Sequence, residues 1–202
     1  MSQDRVRAAS LARDPIQQFG LWFRHWCTFQ ASDPDAVALA TASRDGRPSV
    51  RMVLMRGFDQ RGFRFYTNYG GRKAAELDSN PRAAMMFYWP EHGRQVRLEG
   101  RVERLTEAES DDYFSGRARL SQIGAWASHQ SRPLSSLEEL EERVHRYEER
   151  FAGASIPRPP WWGGYLLVPD TFEFWAQGPG RLHDRFQYRR SGQDWEIERL
   201  AP

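Results

Sequence analysis

The chain of 202 residues carries 29 Lys and Arg against 27 Asp and Glu, a net charge of +2, and is 40% hydrophobic and 13% aromatic. It is long enough to bury a core and too aromatic for a disordered chain, and its balanced charge does not describe a dedicated nucleic-acid binder. The single cysteine, Cys27, excludes an intrachain disulfide, a CxxC redox pair and a cysteine-rich zinc site.

Residues 1–14 are polar and read as a flexible N-terminal segment, with residues 15–202 as a single domain. The N-terminus lacks the apolar stretch of a signal peptide, and no apolar run approaches a membrane span, so a cytoplasmic setting is expected. Asp14-Pro15 opens an amphipathic helix to about Gln30, with Ile16, Phe19, Trp22, Phe23 and Trp26 at helical spacing. Strands follow at 36–41, 49–57 and 63–67, separated by the Asp45-Gly46 hairpin turn and a turn at 59–62. Gly70-Gly71-Arg72-Lys73 opens a short helix that Asn80-Pro81 ends. Strands at 82–89 and 95–105, helices at 106–115 and 136–151, and closing strands at 164–168, 173–176, 184–189 and 195–199 complete the chain. Short strands without a βαβα rhythm predict a mostly β, α+β fold, an antiparallel barrel with accessory helices.

Three clusters stand out. Arg51 and Arg72-Lys73 lie where a helix start offers unpaired N–H groups, and Lys73 is the only lysine in the chain. A phosphate between these cations resolves their conflict with the helix dipole; the competing reading is a solvated basic turn. In Arg181-Leu182-His183-Asp184-Arg185, a strand would put Arg181, His183 and Arg185 on one face, either against an anionic ligand or paired with nearby acids. Tyr113, Arg117 and Ser121 supply hydroxyl and guanidinium donors for a second phosphate, or merely decorate the surface. The histidines show no metal-ligand spacing, and no GxSxG elbow or GxGxxG loop is present.

The segments Arg51-Met-Val-Leu-Met-Arg56, Phe65-Tyr-Thr-Asn68, Arg72-Lys73-Ala, Arg94-Gln-Val-Arg97, Ser121-Gln-Ile-Gly-Ala-Trp126, His129-Gln-Ser131, Trp162-Gly-Gly164, Glu173-Phe-Trp175, Arg181-Leu-His-Asp-Arg185 and Glu198-Arg-Leu-Ala-Pro202 occur in this order. Each is weak alone; together they resemble the pyridoxamine 5'-phosphate oxidase family. The resemblance implies an FMN-binding split β-barrel acting as a homodimer, with FMN at the subunit interface. By the same resemblance, Arg51, Arg72 and Lys73 surround the FMN phosphate, and Met52, Val53, Leu54, Arg56, Tyr66, Thr67, Gln95, Gln130, Ser131, Trp175 and Arg185 are further flavin contacts. Arg56, Tyr113, Arg117, Ser121, Arg181, Leu182 and His183 correspond to the substrate site, with Arg181, His183 and Asp33 as the catalytic candidates and no metal.

The implied reaction oxidises pyridoxamine or pyridoxine 5'-phosphate to pyridoxal 5'-phosphate by hydride transfer from C4' to the flavin, with O2 as acceptor and H2O2 as product. Two departures stand out: Arg56 replaces the family's usual lysine, and residues 1–14 show no match to its N-terminal Arg-x-x-Tyr segment. They keep open a sister FMN oxidase acting on another aromatic metabolite, such as a phenazine precursor. A non-catalytic protein that binds flavin or pyridoxal phosphate is the third reading.

Overall fold

The computed structural model describes residues 5–28 and 33–202. Helix α1 spans Pro15–Trp26, with Asp14 accepting from the Ile16 and Gln17 N–H groups and proline in the first turn. It ends earlier than its apolar pattern suggested, and residues 29–32, which include the predicted helix end, lie outside the described residues.

The strands are β1 (Ala36–Ala42), β2 (Pro48–Leu54), β3 (Phe58–Asp59), β4 (Gly62–Asn68), β5 (Arg82–Trp89), β6 (Arg94–Arg104), β7 (Trp162–Ala176), β8 (Asp184–Ser191) and β9 (Asp194–Leu200). They form one antiparallel sheet in the order β2-β1-β5-β6-β7-β4-β3. β6 borders one edge of β7, while the other edge pairs with β4 over its first half and with β8 over its second. β9 completes the hairpin with β8. Beyond β2, Arg56 N–H donates to the Arg64 carbonyl on β4 and Arg64 N–H returns a bond to Gly57, joining the two ends of the sheet. The fold is the α+β barrel expected.

Two local readings need correction. β7 is one strand of 15 residues, where the sequence suggested two. Pro169 interrupts the apolar run, but it sits at the register shift between Glu99 and Gly100, where a missing N–H is tolerated. The predicted strand 49–57 stops at Leu54, and Gly57 bends the chain with φ +114°.

Inside the barrel, Phe19 of α1 is fully buried and meets the rings of Phe58, Phe63 and Phe87 at 4.8–4.9 Å. A second apolar cluster joins Phe114, Ile123, Phe151 and Trp162. It packs the helices α3 (Glu107–Ser115), α4 (Arg119–Ala127) and α5 (Leu137–Arg150) over the start of β7. α4 was not anticipated: Ala118 gives it no side-chain cap, and Gly124 weakens its pattern. Residues 5–14, read from sequence as flexible, contact the barrel. Arg5 grips both carboxylate oxygens of buried Asp184 at 2.8 Å, and Tyr188 Oη donates to the Ala12 carbonyl. Residues 1–4 lie outside the described set.

Candidate functional site

Helix α2 (Arg72–Ser79) starts at Gly71, as expected, and its first turn faces the segment that follows α4. A Cβ on Gly71 would stand 2.6 Å from Gln130 Oε1, so glycine permits this approach. Arg72 N–H donates to Ser131 Oγ at 3.3 Å. Lys73 is buried, and its ammonium donates to Thr67 Oγ1 at 2.9 Å and Gln130 Oε1 at 2.8 Å. Burial, with Arg51 nearby, pushes its pKa below the ordinary lysine value.

Arg51 does not stand free. Its terminal nitrogens donate to the Leu39 carbonyl, Thr41, Ser49 and Glu76. Glu76 was not singled out from the sequence. It is buried, and burial alone would raise its pKa, but donors from Ser49, Thr41, Arg72 and Arg51 hold it down at about 2. Its position one helical turn after Arg72 was the available signal.

A cleft of about 290 Å³ opens beside this cluster, lined by Met52, Val53, Leu54 and Arg56 after and along β2, Tyr66 and Thr67 on β4, and Lys73, Tyr113, Arg117, Gln130 and Trp162. Tyr66, Tyr113 and Trp162 stack nearly parallel, Tyr66 to Tyr113 at 3.8 Å between centroids. Arg117 lies 4.6 Å over the Trp162 ring, and its Nη1 is buried without a hydrogen-bond partner. Burial lowers its pKa, and Arg56 adds to that effect. Arg117 lies past the end of α3, and the turn at Gly116 brings it to the same cleft as Tyr113. A neighbouring cleft shares Arg117, Gln130 and Trp162 and includes Ser121. Arg56 also forms a 2.6 Å ion pair with Asp35.

The remaining candidates gather elsewhere. Gln95, Trp175 and Arg185 form one row across β6, β7 and β8. Glu173 pairs with both Arg185 and Arg97, and they hold its pKa below the usual carboxylate value against the opposing effect of burial. Arg181 and His183 precede β8, so the predicted common strand face does not exist. Arg181 lies in a 3-10 turn with φ +63°, and Leu182 is exposed. The His183 ring is 4.5 Å from that of Trp175, and Gly178 N–H donates to Nδ1, which puts the proton of a neutral ring on Nε2. The two non-glycine residues with left-handed backbone among those described are Ser131 and Arg181, both candidates from the sequence. Asp33 is exposed in the turn before β1, outside both clefts. Among the described residues no group of three or more His, Cys, Asp or Glu is placed to hold a metal.

The two sets occupy opposite halves of β7. Tyr66 pairs with Gly164, whereas Trp175 lies eleven residues farther on, about 36 Å along the strand. Between them, the outer sheet face exposes Val50 and Met52 on β2 and Met86 and Tyr88 on β5, with Tyr88 directly beside Gln95.

Comparison with known proteins adds a family. Residues 28–151 match the model described as pyridoxamine 5'-phosphate oxidase, and residues 162–202 match the pyridoxine 5'-phosphate oxidase C-terminal dimerisation region. The chain is 56% identical over 189 residues to a pyridoxine/pyridoxamine 5'-phosphate oxidase of Rubrobacter xylanophilus, covering 94% of this chain and 87% of that protein. The corresponding protein of Myxococcus xanthus is 52% identical, covering 94% and 92%. Among solved structures, PhzG from Burkholderia lata 383, in complex with tetrahydrophenazine-1-carboxylic acid, superposes with TM-score 0.93 at 35% identity, covering all of both chains. A pyridoxamine 5'-phosphate oxidase-related, FMN-binding protein of Nostoc punctiforme shares the fold, with TM-score 0.76 at 19% identity, covering 95% of this chain and all of that one.

Proposed function

The chain belongs to the pyridoxine/pyridoxamine 5'-phosphate oxidase family, and from that premise we propose that its cleft holds FMN and a B6 phosphate ester side by side. One observation carries this reading: the cleft contains buried Lys73 and half-buried Arg117, whose Nη1 is itself buried, and neither has a carboxylate partner among the described residues. Buried cations of this kind call for anions. Lys73, with the Arg72 fork and the open N-terminus of α2, suits the FMN phosphate; Arg117, with Arg56, Tyr113 and Ser121, suits the phosphate of the substrate. Met52–Leu54, Tyr66 and Thr67 supply a largely apolar wall for the flat ring, with Gln130 as a polar contact.

Bound FMN supplies the two-electron acceptor for oxidation of pyridoxamine or pyridoxine 5'-phosphate to pyridoxal 5'-phosphate, and O2 carries the electrons onward to H2O2. The protein's part is positioning and charge. Arg181 would stabilise the negative charge that passes to the acceptor with the hydride, and His183, braced against Trp175, orients the pyridine ring and handles a proton. Their distance from the cleft along β7 supports a site completed by a second copy of the chain. The C-terminal match to a dimerisation region and the exposed apolar row on β2 and β5 support the same assembly, a homodimer with FMN at its interface. A cytoplasmic setting is part of this reading; no described helix is long and apolar enough to cross a membrane.

The likeness to PhzG favours a phenazine-type substrate as a second reading. The higher identity to the oxidases and the Arg117 cation weigh toward the phosphate ester. Aerobic turnover of the FMN-loaded protein with each B6 ester, following aldehyde and peroxide together, tests the proposal. Equal formation of both products supports it; FMN-loaded protein that forms neither refutes it.

A further inference from the structure

We propose that Glu76 is a positioning residue for the FMN phosphate, acting through Arg72. The inference rests on the phosphate assignment made above. Arg72, Lys73 and Arg51 bring three positive charges to the start of α2, where the helix dipole already disfavours cations. Left to themselves they repel, and Arg72, whose side chain is 56% exposed, has solvent to escape into. Glu76 opposes that escape. Its Oε1 accepts from Arg72 Nε at 2.8 Å, one helical turn back.

The choice of atom matters. A guanidinium has five N–H donors. Glu76 takes the one on Nε, while the four on the terminal nitrogens of Arg72 have no partner among the described residues. The fork is thus anchored at its neck, and its terminal donors remain for an anion. The other carboxylate oxygen, Oε2, accepts from Thr41 Oγ1 at 2.5 Å, Ser49 Oγ at 2.6 Å and Arg51 at 3.3 Å. Arg51 in turn donates to Thr41 and Ser49, so the bonds close into a ring spanning β1, β2 and α2. The carboxylate is saturated with donors and held in place by the sheet, not by the ligand. It offsets one of three positive charges, and the net charge of +2 that remains matches a phosphate dianion.

FMN and riboflavin differ by the phosphate, so the ratio of their affinities isolates this role from any effect on the fold. Flavin fluorescence titrations of wild type, Glu76→Gln, Arg72→Ala and the double variant provide the test. Glu76→Gln is expected to raise the FMN dissociation constant about tenfold while riboflavin changes by less than about twofold. In the Arg72→Ala background the same substitution is expected to add less than about twofold, because its effect runs through Arg72. Equal loss of both flavins, unchanged or tighter FMN binding, or the full loss repeated in the Arg72→Ala background would each overturn the role of Glu76.

Arg72→Ala alone separates the two layers. If it leaves the FMN-to-riboflavin ratio unchanged, the phosphate assignment itself fails; if it loses FMN and Glu76→Gln does not, the positioning role alone fails. Should Glu76→Gln not fold, Ser49→Ala removes one donor of the ring. It is then expected to weaken FMN about threefold with riboflavin unchanged, and an unaltered ratio overturns the proposal.

Discussion

Replacing Lys73 by methionine separates what the ammonium does for the ligand from what it does to the fold. The ammonium has three donors, and Thr67 and Gln130 take two of them. The third is available to a phosphate oxygen in this buried setting, where a charge-assisted hydrogen bond contributes about 1.5–3 kcal/mol. Lys73→Met is therefore expected to raise the FMN dissociation constant about 10- to 150-fold. In the ligand-free chain the sign reverses. Burial holds the pKa of Lys73 below its ordinary 10.5, so the folded state binds this proton less tightly than the unfolded state. The destabilisation is complete at pH values below the folded pKa and fades as pH rises toward the unfolded one. Thr67 and Gln130 also keep their mutual 3.0 Å bond when the lysine is gone. Flavin-free Lys73→Met is thus expected to melt at or above the wild-type temperature at pH 7, with the wild type gaining on it toward pH 10. Calorimetry with and without FMN, beside a fluorescence titration, reads both effects. An FMN dissociation constant within about threefold of wild type, or a flavin-free melting temperature clearly below it, refutes the assignment.

Other consequences are as direct. Arg181→Ala is expected to cut turnover far more than FMN affinity, measured by steady-state kinetics beside flavin titration. Arg117→Ala and Arg181→Ala subunits, each inactive alone, should recover about a quarter of wild-type activity when refolded together, because half the random dimers carry one intact site; no recovery would place both residues in a one-chain site. Phe19→Ala, emptying the ring cluster around a fully buried side chain, should destabilise by about 3–5 kcal/mol in urea unfolding. Glu109 caps α3 and bonds Arg61, and backbone and hydroxyl donors from Thr106 lead in holding its pKa at about 2. Its contribution is complete above the unfolded value of 4.5 and is lost as pH falls through the folded one, so the gap between wild type and Glu109→Gln should close between about pH 5 and pH 2 in a urea series.

Patterns confined to neighbouring residues were legible in the sequence. The Asp14-Pro15 start, the Gly71 start of α2 and the Thr106 capping box each follow from a few adjacent side chains. What depends on tertiary packing was not. Glu76 gains its donors only when α2 is laid on β1 and β2, where Thr41 and Ser49 receive it. Arg181, Leu182 and His183 alternate like a strand, yet the turn at Pro179-Gly180 keeps them out of the sheet. Arg117 joins Tyr113 because α3 stops between them, which their four-residue spacing does not reveal. The family resemblance named most of the cleft without giving its geometry, and it also named Asp33, which does not line it.

The length of β7 has a consequence for how activity depends on amount. If the cleft at its first half and the Trp175 row at its second serve different copies, a lone chain holds two unfinished halves and no complete site. Specific activity then falls on dilution as dimers part, although every chain stays folded. FMN that touches both copies would oppose that dissociation through mass action, so flavin supply would then set how much of the protein is assembled as well as how much is loaded.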